Sequence, residues 1–200
     1  MRIHPATLAV ALVAATLAAH TPLHAQMGMP PAPAPGTVVA PAVSMDSALT
    51  SLQTLWTGAA TAMPADKYSF APSAAIFVPG QPVKYDGVRT FAQIITHTIQ
   101  ANYRYFSFVG GIKPDVDVAA IGKLTSKDDI LKALDATFVF AHKAVANVTT
   151  ANAFDAVPGR PNATRATAFA GAIAHAEDEY GQAVEYLRMN GIVPPASEKK

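Results

Sequence analysis

The sequence predicts an all-α protein whose main domain is a four-helix bundle. Four segments carry apolar residues at the three- and four-residue spacing of amphipathic helices. No segment shows the strict alternation of apolar and polar residues that is typical of a half-buried strand. Long connections separate helices of this length, and four-helix bundles accommodate such connections. Together these observations favour a bundle over any sheet-containing fold.

The N-terminal segment has the features of a secretory signal peptide over residues 1–25. Arg2 gives a basic start, and the apolar residues 8–19 are too few for a comfortable membrane span. A segment that resembles a cleavage region follows and ends at Ala25. Alternating Pro and Ala then predict a disordered linker over residues 26–44. We therefore expect a periplasmic or secreted protein without stable membrane insertion after signal cleavage.

Composition and charge exclude several classes of function. The chain has 15 Lys and Arg residues against 14 Asp and Glu residues, and loss of the signal peptide removes one Arg and no acid. The mature protein is then formally neutral, and no basic cluster points to a nucleic-acid partner. The absence of cysteine excludes disulfides, a thiolate nucleophile and Cys-ligated zinc. Stability must come from the hydrophobic core, for which the remaining chain is long enough.

The first predicted helix covers residues 45–63, with Ser44 or Asp46 as its N-terminal cap. Its apolar residues recur at helical spacing and include Trp56, which is expected in the core. Proline and glycine then punctuate residues 64–87. This stretch predicts a long non-helical connection between helices 1 and 2.

The second and third helices are predicted over residues 88–108 and 125–148. The second stops at Gly110 and Gly111. The third begins with a hydroxyl cap and places acidic residues in its first turn, where the helix dipole favours them.

The fourth helix is predicted over residues 163–190. Gly191 ends it, and Pro194 prevents its continuation. The bundle domain is therefore expected to span residues 45–195, followed by a C-terminal tail over residues 196–200.

Three side chains form a candidate metal site. His175 and Glu179 lie four residues apart in the fourth helix and therefore share a face, and His97 lies in the second helix. Two imidazoles and one carboxylate are a known ligand set for metal ions. The alternative is structural, with partly buried histidines and Glu179 as a solvated acid. His142 is expected to be a surface or packing residue of the third helix.

Three blocks of sequence resemble the exported branch of the DinB-like superfamily. They are MPADKYSFAPS, VRTFAQIITHTIQANY and HAEDEYGQAVEYLRMNGIVPP, at residues 63–73, 88–103 and 175–195. The resemblance extends over residues 45–195 and implies a four-helix bundle that binds a divalent metal ion through three histidines. The family name refers to DNA-damage induction and does not imply DNA binding.

The resemblance places two of the family's metal ligands on His97 and His175. The third position, usually a histidine in an H-x-x-x-H spacing, holds Glu179 in this chain. Glutamate is itself a metal ligand, so the site is either retained with an altered preference, or metal binding is weakened or lost. The implied cofactor is a divalent metal ion, with zinc, nickel and iron as the candidates.

The sequence leaves three functions open. The first is a metal-dependent enzyme, and the resemblance implies thiol-transferase-like chemistry on an unknown small-molecule substrate, with no catalytic residue identified. The second is a non-catalytic metal- or ligand-binding bundle. The third is a bundle with a degenerate site that acts in dimerisation, since small residues of the fourth helix permit close packing in a homodimer.

Overall fold

The computed structural model describes residues 33–73, 76, 79–80, 82–84 and 86–198. The expected signal peptide and residues 26–32 of the expected linker lie outside this part of the chain. From residue 38 onwards the chain forms one compact unit. Within the described residues this unit is all-helical and contains no strand, which confirms the predicted all-α class.

Five α-helices and two single-turn 3-10 helices make up the described fold. In chain order the α-helices are α1 (Pro41–Ala62), α2 (Phe91–Gly110), α3 (Val118–Ile121), α4 (Lys127–Ala146) and α5 (Arg165–Met189). The 3-10 helices are Ala65–Lys67 and Pro195–Ser197. The four long helices correspond to the four predicted ones, whereas the single turn of α3 is too short to produce a periodic pattern. None of the described helices has the length and apolar character that a membrane span requires.

Helix α1 starts earlier than predicted. Its N-cap is Ala40, which makes no side-chain capping hydrogen bond, and Pro41 occupies the first turn. Proline suits this position because its fixed φ is helical and its missing N–H would have no partner there. The prediction that Ser44 or Asp46 caps the helix is therefore wrong, and residues 41–44 of the expected linker are helical.

Reciprocal capping boxes fix the starts of α2 and α5, the two helices that carry the candidate ligands. The Thr90 hydroxyl accepts from the Gln93 backbone N–H, and the Gln93 side-chain oxygen accepts from the Thr90 backbone N–H. Thr164 and Thr167 make the same exchange in α5. The predicted start of α2 at residue 88 is wrong by three residues because the threonine cap sets it at Phe91.

The long helices enclose an apolar core. α2 packs against α4 and α5, and α1 packs against the same two helices. Trp56 is fully buried, as predicted, and its indole Nε1 donates to the Ala176 carbonyl at 3.2 Å, which ties α1 to α5. The contact between α2 and α5 places the side chains of the candidate site opposite one another.

The connection between α1 and α2 is anchored to the core at both ends. It includes the 3-10 turn Ala65–Lys67, so the expectation that it lacks helix entirely is wrong. The Tyr68 hydroxyl donates to the Ala60 carbonyl at 2.7 Å. At the other end, the Tyr186 hydroxyl of α5 donates to the Arg89 carbonyl at 3.0 Å. This second anchor holds Arg89 beside α5.

Candidate metal centre

The structure brings together the three side chains that the sequence singles out. His97, His175 and Glu179 each present one potential ligand atom, and these atoms lie within 4.8 Å of one another. His97 Nε2 and Glu179 Oε1 are 3.5 Å apart. Ligand atoms bound tetrahedrally at zinc distances stand roughly 3.4 Å from each other. The His97–Glu179 pair already fits this spacing, and side-chain movements of roughly one ångström would bring all three ligand atoms to it.

Glu179 is the buried member of the group. Only 4% of the residue is exposed, so the alternative of a solvated helix acid is wrong. Its Oε2 has no hydrogen-bond partner among the described residues. The nearest guanidinium is that of Arg89, whose Nη1 lies 3.7 Å from Oε1, beyond hydrogen-bonding distance. Buried polar groups normally have partners, and a cation bound at this position would provide one.

The electrostatic environment of Glu179 is set mainly by its burial. Burial raises the pKa of the Glu179 carboxyl, and the charge of Asp178 acts in the same direction. The positive charge of Arg89 and the His175 imidazole oppose this effect. Without a metal ion, burial therefore disfavours the charged carboxylate. The charged carboxylate is the form that a metal ion requires and stabilises.

The two histidines face each other across the α2–α5 contact. Their ring centroids are 5.2 Å apart, with the planes at 64°. Burial lowers the pKa of His97, and the charges of Arg89, His175 and Arg104 lower it further. These effects favour the neutral imidazole, whose free nitrogen lone pair is what binds a metal ion.

Sequence reasoning missed Arg89 as a neighbour of the site. Its side chain is 45% exposed and lies against the buried carboxylate of Glu179. No motif marks this arginine, since it lies in the connection just before the Thr90 cap. The tertiary hydrogen bond from Tyr186 holds its backbone beside α5.

Tyr105 is a second neighbour that the sequence did not reveal. Its ring centroid lies 6.0 Å from that of His175 in an edge-to-face arrangement. The ring fits against α5 because the facing residue is Gly171, where a Cβ atom would stand 3.3 Å from Tyr105 Cε1. Tyr105 thereby packs beside one of the candidate ligands.

Other residues considered from sequence lie outside the site. His142 links α4 to α1, with Nδ1 at 2.6 Å from Asp46 Oδ1 and Nε2 at 3.0 Å from Gln53 Oε1, which confirms the expectation that it is a packing residue. Glu177 and Asp178, which lie between the two candidate ligands of α5 in the sequence, are exposed.

His97 connects the buried carboxylate to the protein surface. Its side chain is 34% exposed, and it lines two shallow depressions of about 270 and 280 Å³ on the outer face of α2. Arg89 lines the first depression, and Arg104 lines the second. The site thus has a buried side at Glu179 and an accessible side at His97.

Neither a protein-family model nor a curated protein matches this chain. The chemistry of the site must therefore be inferred from its donor atoms and their surroundings. Two imidazole nitrogens and one carboxylate oxygen suit zinc, nickel and iron, whereas calcium and magnesium prefer sites made of oxygen ligands alone.

Proposed function

We propose that this protein binds one divalent transition-metal ion through His97, His175 and Glu179 and acts as a metal-dependent enzyme on a small molecule. The observation that carries the proposal is the carboxylate of Glu179, which is buried beside two imidazoles and has one oxygen without a hydrogen-bond partner in the described part of the chain. A divalent cation would satisfy that oxygen and offset the cost of burying its charge. The donor set therefore fits the ion.

The accessibility of His97 favours catalysis over a purely structural role. Structural zinc sites take four protein ligands, whereas three ligands leave a position for water or substrate. When bound, a divalent ion in such a site supplies Lewis-acid chemistry. The protein's own contribution is to set the charge of the centre through Glu179 and to open one side of it to solvent through His97.

We further propose that the domain is a four-helix bundle of the DinB-like type. The packing of α1 and α2 against both α4 and α5 supports this arrangement, and so does a ligand set shared by the second and last long helices. Within that proposal Glu179 replaces the family's third histidine, and thiol-transferase-like chemistry is the family-level reaction. The signal-peptide pattern of residues 1–25 supports export to the periplasm or beyond.

Metal titration of ligand variants tests the site. Even the loss of a group that only supports a metal ligand costs about 10- to 100-fold in affinity, so Glu179→Ala should lower affinity at least as much. Glu179→His should retain the ion and shift preference toward metals that favour imidazole. Glu185→Ala is the matched control, because Glu185 lies on the same helix with 58% of its side chain exposed.

The control should bind metal as tightly as the wild type. Equal affinity in the wild type and Glu179→Ala would show that this carboxylate is not a ligand and would overturn the proposed centre. A fully occupied ion with no exchangeable water would favour the non-catalytic alternative.

A further inference from the structure

The two depressions beside His97 form one trough along α2. Both are lined by His97 and Gln100, so they adjoin at these residues. Gln93 lines the first depression and Arg104 the second, and the spacing from Gln93 through His97 and Gln100 to Arg104 keeps all four on one helix face. We refer to this surface as the trough.

The trough carries positive charge that is balanced only in part, since Arg89 pairs with Glu179. Among the residues that the structure describes, no acidic residue lines either depression, whereas Arg89 lines the first and Arg104 the second. Arg104 lies with its guanidinium carbon 5.2 Å from the Tyr105 ring centroid, and Arg160 lies at the same distance from that ring. Among the described residues, neither Arg104 nor Arg160 forms an ion pair.

The uncharged groups of the trough already have partners within the protein. The Gln100 amide donates to the Val118 carbonyl at 2.8 Å, and Gln93 is held in the capping box of α2. Thr96 donates to the Gln93 carbonyl at 3.3 Å. The charged donors of the trough are the guanidinium groups of Arg89 and Arg104, and their planar geometry matches carboxylate and phosphate oxygens.

We propose that the trough binds the oxyanion group, a carboxylate or a phosphate, of the small-molecule substrate next to the metal centre. This inference rests on the proposed function because the metal links the trough to the chemistry. In the metal-free protein Arg89 lies 3.7 Å from Glu179 Oε1 and partly balances its charge. A divalent ion takes over that role, which leaves Arg89 available to an anion.

Metal and anion should therefore bind with positive coupling. Coupling between two sites is reciprocal, so the anion should raise metal affinity by the same factor by which metal raises anion affinity. Arg104 contributes to the anion site in both states, whereas the contribution of Arg89 grows when metal is present.

Sulfate is a suitable probe because it is an oxyanion that binds divalent ions only weakly in water. Equilibrium dialysis with radiolabelled sulfate would compare metal-loaded and metal-free wild type with Arg89→Gln and Arg104→Gln. Arg188→Gln is the matched control, since Arg188 is a half-exposed arginine of α5 that pairs with Glu185 at 2.7 Å. Metal stoichiometry is measured on the same samples.

We expect Arg104→Gln to weaken sulfate binding about tenfold in both states, as the loss of a charge-assisted contact would. Arg89→Gln should weaken it mainly in the metal-loaded protein, and the control should bind like the wild type. Retained metal with equal sulfate affinity in all four proteins would overturn the inference and leave the proposed function intact. If no metal binds, the proposed function fails, and the metal-free samples alone test the anion site. Sulfate binding that depends on Arg104 supports an anion site in the trough. Sulfate binding that does not depend on Arg104, or no sulfate binding, overturns it.

Discussion

Replacing Glu179 by glutamine should have opposite effects on the metal-free and metal-loaded protein. The carboxylate is buried, one of its oxygens has no hydrogen-bond partner among the described residues, and burial raises its pKa above the unfolded value. Because the pKa of this carboxyl is higher in the folded than in the unfolded protein, the protonated carboxyl contributes to folding stability. That contribution is fully present below the unfolded pKa and is lost as the pH rises through the folded pKa. Glutamine stays neutral throughout, so metal-free Glu179→Gln should be more stable than the wild type at neutral pH. This advantage should disappear in acid.

Added metal should make the wild type more stable than Glu179→Gln. At a free metal concentration of about 100 times Kd, binding stabilises the folded wild type by about 2.7 kcal/mol. For a domain of this size each kcal/mol moves the Tm by about 2–4 °C, so the wild type should gain about 5–11 °C. Glu179→Gln lacks the anionic ligand and should gain much less.

Thermal unfolding of both proteins, with added metal and with a chelator, at neutral and acidic pH, measures these effects. Equal metal-induced shifts in the two proteins would refute the role of the carboxylate as a ligand. A metal-free variant that is less stable than the wild type at neutral pH would refute the argument that burying this charge is costly.

Two further predictions concern the helix packing and the N-terminus. Gly110→Ala should destabilise the fold by about 1–3 kcal/mol in denaturant unfolding, because its new Cβ would lie 2.5 Å from the Ala144 backbone. Gly181→Ala, where nothing lies within 4 Å, should instead stabilise the fold by up to about 1 kcal/mol, and destabilisation there would contradict the packing argument. N-terminal sequencing of protein exported by a Gram-negative host should find Gln26 first. Retention of Met1 would contradict the predicted signal peptide.

Local sequence signals predicted much of the fold. Ser126 caps α4 and acidic residues fill its first turn, as the hydroxyl-and-acid pattern indicated. Gly111 ends α2 with a positive φ of 66°, which is the conformation that made glycine a stop signal there. The start of α1 was mispredicted because Pro41 begins it without a side-chain cap, and the polar residues that follow offered a more familiar signal.

The candidate site was predictable only in part. The four-residue spacing of His175 and Glu179 fixes their common face, and helix geometry alone was enough to pair them. The burial of Glu179 was not predictable, because a glutamate on a helix is ordinarily a solvated acid, and it is the packing of α2 against α5 that encloses this one. Arg89 reaches the carboxylate through a connection whose path depends on tertiary hydrogen bonds.

The most direct test of the metal centre is elemental analysis of the full protein, purified without an affinity tag or chelator and then dialysed against zinc, nickel or iron. We expect about one transition-metal ion per chain, as a single set of three converging ligands requires. A protein that contains no stoichiometric transition metal as purified, and takes up none on dialysis, would contradict the central claim.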